Sequence, residues 1–233
     1  MRAYLEHTRR LPVALVLAVP LLLLYQAGLL AVGFDALNGA DVFTVTLMER
    51  LGHRGYLIVN GVVVLGFLGG AWALNRKRQF HPRWFLPLVG ECALYAATMG
   101  TAILFVMDKA HLLGPGEAIA KMSLATRIVI SAGAGLHEEL VFRLALIPGM
   151  ALAFARMLGS KRDDAVLPVS LAVVASSVLF SLAHFLAEPF TWFAFWYRGL
   201  AGLVFAALFA ARGFAVAAYT HFLYDVYVLV LAR

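Results

Sequence analysis

The sequence predicts an all-α polytopic membrane protein, and three observations carry that prediction. Of 233 residues, 63% are hydrophobic and only 14% are charged, against roughly half and a quarter in an ordinary soluble domain. The run Leu11–Val32 holds 22 residues without a charge, enough to cross the ~30 Å hydrocarbon core of a bilayer as a helix. Further apolar runs of similar length follow it to the C-terminus. A soluble helical core would have to hide the first run entirely, so that alternative is set aside.

The spans follow in order. The first, 11–32, is preceded by Arg2, Arg9 and Arg10. A basic flank before an apolar run also describes a signal peptide. This run is longer than a typical h-region and lacks a clear small-x-small exit, so it is read as a span. The second covers 56–74 and the third 85–107, with Arg76, Lys77, Arg78 and Arg83 between them. The fourth, 124–158, is too long for one simple crossing, since at 1.5 Å per residue it would reach ~50 Å. Either part of it lies in the interface or Pro148 breaks it. The last three cover 165–185, 190–211 and 214–231. That makes about seven transmembrane helices, with eight as the upper count.

The net charge of +6 would suggest nucleic acid in a soluble protein. Here the basic residues cluster at helix ends, which points to topology and anionic lipid headgroups, with no nucleic-acid partner. They gather before span one, between spans two and three, after span four (Arg156, Lys161, Arg162) and between spans six and seven (Arg212). That alternation places the N-terminus in the cytoplasm. Cys92 is the only cysteine, which excludes an intramolecular disulfide and a cysteine-based metal site and suits core filling. His7, His53, His81 and His111 fall at termini or loops and are read as solvated.

Ionisable residues inside spans are costly and mark functional candidates. In GLHEELVFRLALIP, residues 135–148, Glu139 and Arg143 stand four apart and share a helix face, so each can neutralise the other. Glu138 points about 100° away and can enter a cavity without that partner, as a proton-transferring carboxylate. FSLAH places His184 late in span five. HFLYD places His221 and Asp225 on one face of span seven, where the acid can orient the imidazole. Read singly, each cluster could equally be structural: an ion cluster, a hydrogen-bonded core histidine, a polar pair between helices. Read together they supply what buried hydrolysis needs. Glu138 could take a proton from water, one histidine could orient that water or serve the leaving amine, and the other could meet an oxyanion.

EELVFR, FSLAH and HFLYD, in that order, resemble the EExxxR, FxxxH and Hxxx(N/D) motifs of the CPBP (CAAX protease and bacteriocin-processing, or Abi) family. These are intramembrane endopeptidases related to type II CAAX prenyl protease. The resemblance covers about 135–227. It divides one integral membrane domain into 1–110, spans without a recognised motif, and 111–233, the CPBP-like catalytic core. It implies that Glu138 and His184 activate water, that His221 and residue 225 line the oxyanion site, and that Glu139 and Arg143 support it. Where the prenyl proteases carry Asn, this chain has Asp225. An ionised Asp cannot donate to an oxyanion, so Asp225 is expected only to orient His221.

The family has been described as both metallo- and glutamic-type. Glu138, His184 and His221 would be the zinc ligands if a metal binds. HExxH is absent, since position 141 is Val, and the metal-free reading, with no cofactor, is preferred. The implied partner is a membrane-anchored or lipid-modified protein substrate in a bacterial or archaeal cell membrane; no feature sets an oligomeric state. The same buried charges would also serve a proton-coupled transporter or a non-catalytic scaffold or immunity protein. With the N-terminus inside, His184 lies near the outer face, and Glu138 reaches it only if 117–135 is interfacial or re-entrant. An outward site would suit relatives that process or sort exported proteins.

Overall fold

The computed structural model describes residues 2–77, 80–110, 122–159 and 165–231, and all its regular structure is helical. Eight helices follow one another: α1 Arg2–Arg9, α2 Leu11–Val32, α3 Val42–Arg76, α4 Pro82–Lys109, α5 Leu124–Met157, α6 Val166–His184, α7 Trp192–Arg212 and α8 Phe214–Val230. Six are long and apolar enough to cross a membrane, and α8 is a shorter apolar helix. Counting α8, each of the seven predicted apolar runs is a helix. Arg78, His111, Lys161 and Arg162 lie outside the described residues.

Local chemistry sets the boundaries. Pro12 sits in the first turn of α2, where its missing N–H costs nothing, and Gly33 ends that helix at φ 99°. Ser123 and Thr191 cap α5 and α7 by accepting the Thr126 and Ala194 N–H groups. Gly213, at φ 89°, turns α7 sharply into α8.

The fourth run does not break at Pro148: α5 is one continuous helix of 34 residues, still longer than a single crossing needs. Pro148 lies in the first turn of an α-helical stretch that succeeds π-helical turns over Leu140–Leu146. The wider π-helical spacing already displaces the hydrogen bonds that a proline would break. The segment expected to be interfacial, 117–135, is described from 122 onward, and from Leu124 it belongs to this rod. A second π-helical stretch, Ala134–Glu138, carries the acidic motif.

The centre of the bundle is α8. Every residue from Phe214 to His221 is buried, against α1, α2, α4, α5 and α7. By contrast α3 leans on α2, and only 6% of its apolar window is buried. The basic elements meet at one end. There Arg212 pairs with Glu91 at 2.6 Å, Arg9 donates to the Ala210 carbonyl at 3.2 Å, and His7 accepts from the His81 N–H at 3.3 Å. His7, expected to be solvated, is buried under this contact. Cys92 is buried in the core.

Candidate active site

Three elements bring the predicted residues together. Along α5, Glu138 stands roughly 28 Å from the Met157 end; along α6, His184 stands roughly 27 Å from Val166. The antiparallel pair therefore delivers both to one height. α8 comes close because of Gly135: a Cβ there would lie 2.7 Å from the Ala218 carbonyl and 2.8 Å from the Phe222 nitrogen. Only glycine lets the two backbones approach so far, and within a turn of it Glu138 and Glu139 reach His221.

Glu138 Oε2 lies 3.9 Å from His184 Nε2 and 3.8 Å from His221 Nε2. That oxygen is buried and has no hydrogen-bond partner among the described residues. Both imidazoles are held from behind. His184 Nδ1 lies 2.8 Å from the Phe180 carbonyl, which can only accept, so Nδ1 carries the proton and Nε2 faces Glu138. His221 Nδ1 donates to Glu139 Oε1 at 2.9 Å. The same oxygen lies 3.2 Å from Arg143 Nη1, and Arg143 also donates to the Gly202 carbonyl at 3.2 Å. Aromatic rings wall the site: Phe205 stacks on His221 at 4.3 Å between centroids, and Phe180 presents its edge to both imidazoles while the Arg143 guanidinium lies 4.3 Å above its ring.

One predicted role changes hands. Asp225 was expected to orient His221, but its Oδ2 lies 3.6 Å from Nε2, the nitrogen that also faces Glu138. Glu139 holds the rear nitrogen instead. Glu139 is part of the completely buried pair with Arg143, which makes it the more rigid support.

The sequence reading missed Asn38 and Asp41. Both lie between α2 and α3, far from any motif, and LNGAD reads as an ordinary turn. Asn38 Nδ2 donates to Glu138 Oε1 at 2.8 Å, and Asp41 Oδ1 lies 3.5 Å from His137 Nε2. No spacing signal in the chain could have found them. Other polar residues serve packing: Arg127 donates to the Leu229 carbonyl at 2.8 Å, and Arg198 to Glu188 at 2.5 Å.

Access is from the end opposite the basic elements. His184 and Asp225 side chains are 26% and 23% exposed, whereas Glu138 and His221 are 11% and 5% exposed. The donors are of the kind zinc uses, and Glu138 Oε2 stands 3.8–3.9 Å from the two Nε2 atoms. Zinc bonds of ~2.0–2.1 Å in a tetrahedron put ligand atoms about 3.3 Å apart, so the set would have to contract by about half an ångström. Among the described residues no group of three or more His, Cys, Asp or Glu has metal-holding geometry. Two hydrogen bonds of ~2.8 Å meeting at roughly 90° span the observed gaps, which suits a water molecule.

No curated protein and no solved structure matches the chain. A family model does: type II CAAX prenyl endopeptidase Rce1-like, over residues 120–227. That segment contains Glu138, Glu139, Arg143, His184, His221 and Asp225, whereas Asn38 and Asp41 fall before it. Over that segment, just under half of the chain, this integral membrane protein is similar to the Rce1-like CAAX proteases, which supports its assignment to the CPBP/CAAX protease family.

Proposed function

We propose that the chain hydrolyses a peptide bond of a membrane-anchored or lipid-modified protein near the bilayer surface, using a water molecule held by Glu138 and His184 and no metal. The buried, unpartnered Glu138 Oε2 between two Nε2 atoms carries this reading. The water donates one hydrogen to that oxygen and the other to His184 Nε2, which leaves a lone pair for the scissile carbonyl carbon. As the carbon–oxygen bond forms, Glu138 takes the proton. His221, protonated on both nitrogens, donates from Nε2 to the oxyanion while Glu139 holds Nδ1. Before substrate arrives, Asp225 Oδ2 stands 3.6 Å from the same Nε2 and offsets the imidazolium charge. Glu138 then returns its proton to the amine nitrogen as the C–N bond breaks.

The test compares peptide termini in membranes of cells making wild type or Glu138→Gln at matched levels. New termini beside apolar segments, present only with wild type, are expected. Identical termini in cells that make the natural substrate would reject the protease reading in favour of transport or a scaffold. Activity of the purified enzyme is expected to survive EDTA and phenanthroline; loss that zinc restores would overturn the metal-free step.

The site is proposed to open outward, with the N-terminus in the cytoplasm, because it lies opposite the basic end. Such a site would suit processing or sorting of exported proteins. Since Cys92 is buried, a single cysteine at position 188 reports cleanly. Labelling of Glu188→Cys by a membrane-impermeant maleimide on intact cells is expected, and labelling only after lysis would reverse the orientation.

A further inference from the structure

We infer that Asn38, which lies outside the family-matched segment, is a positioning residue for Glu138, so that the N-terminal half completes the active site. The inference rests on the proposed role of Glu138.

The geometry is over-determined. Asn38 Oδ1 accepts the Ala40 N–H at 2.9 Å, which fixes the amide's orientation and leaves Nδ2 as the donor to Glu138 Oε1 at 2.8 Å. The Asn38 backbone N–H donates to Tyr25 Oη at 3.0 Å. Tyr25 is fully buried; its ring lies 4.8 Å from that of His137 and passes so close to Gly133 that a Cβ there would sit 2.5 Å away. Three residues on, Asp41 reaches His137. Residues 38–41 thus grip the first two residues of His137-Glu138-Glu139, and Arg143 and His221 grip the third.

The consequence is selective. A carboxylate has two equivalent oxygens and rotates freely unless one is held. Asn38 holds Oε1, so Oε2 is left facing the two Nε2 atoms. Without that bond the carboxylate can turn, and its reactive oxygen spends less time where water is held. The expected loss falls on turnover rather than on substrate binding.

Asn38→Asp separates positioning from loop structure. Aspartate keeps the acceptor for the Ala40 N–H and the shape of the turn, but replaces the neutral N–H donor by a second carboxylate, which repels Glu138 Oε1 or competes for its proton instead of holding it. The probe is a quenched peptide spanning a cleavage site mapped in the termini comparison. For both Asn38→Asp and Asn38→Ala, in full-length enzyme, kcat is expected to fall about 10–100-fold with KM within about 2-fold, the usual scale for a lost supporting hydrogen bond. Wild-type kcat in Asn38→Asp would overturn the inference while leaving Glu138 catalysis intact, and full activity in Glu138→Gln would overturn the catalytic reading itself. A substrate-free measurement guards against both. The Glu138 carboxylate band, isolated by infrared difference between wild type and Glu138→Gln, is expected to shift in Asn38→Asp. An unmoved band would overturn the inference whatever the substrate.

Discussion

Two polar clusters sit in this apolar bundle, and they are built from similar parts. At the basic end, Glu91 meets Arg212, Tyr4 and Tyr95, and Arg212 also reaches Thr8. At the other end, Glu138 meets Asn38, His184 and His221. The difference lies in what is left over on each carboxylate. Each Glu91 oxygen accepts two hydrogen bonds, from Arg212 and from a tyrosine, whereas Glu138 spends Oε1 on Asn38 and leaves Oε2 with none. A buried acceptor without a partner costs on the order of 1–3 kcal/mol. The first cluster is therefore a clasp that ties α1, α4 and α7 together. The second holds an acceptor ready for a water or a substrate.

The contrast can be broken most sharply at Glu138. Glu138→Gln is expected to abolish the general base and lower kcat by roughly 10²–10⁴-fold with little change in stability; a folded, fully active variant would erase the distinction. Arg143→Ala leaves Glu139 buried without its guanidinium and held only by His221 Nδ1, which costs about 3 kcal/mol, and activity should fall with the folded fraction in a detergent thermal melt. Arg212→Ala at the clasp should cost less, about 2–3 kcal/mol, because its partners are part-exposed. There kcat per folded molecule should stay unchanged; a fall in kcat would show that the clasp also governs the site.

The smallest expected effect is a pH dependence at the clasp. Burial, then His81, Arg10 and Arg83 beside it, holds the His7 imidazole below its usual range. The unfolded chain takes up that proton near pH ~6.5, and the folded chain only at lower pH. His7 thus favours folding fully above that pH, and the stability falls as the solution is acidified. His7→Asn should flatten the decline, read as melting temperature against pH; an unaltered slope would remove His7 as its source.

The seven apolar runs and the three motifs were legible because each depends on a local rule. A bilayer demands uninterrupted apolar length, and four-residue spacing puts two side chains on one helix face. Glu139 with Arg143 could be paired on paper for that reason. The continuity of α5 could not be read so easily, since Pro148 inside an overlong run argues for a break unless π-helical turns absorb it.

By itself, the sequence determined the helices, the basic ends and the list of polar residues carried on α5, α6 and α8. Only the tertiary structure decided what each polar atom meets. Spacing offered Asp225 as the support of His221, but Gly135 lets α5 so close to α8 that Glu139 takes the rear nitrogen. Asn38 lies a hundred residues from Glu138 along the chain, and no periodicity spans that distance. Helix formation is set by neighbours in sequence, whereas a buried hydrogen bond is set by which backbones can approach, and that is settled only when the helices pack.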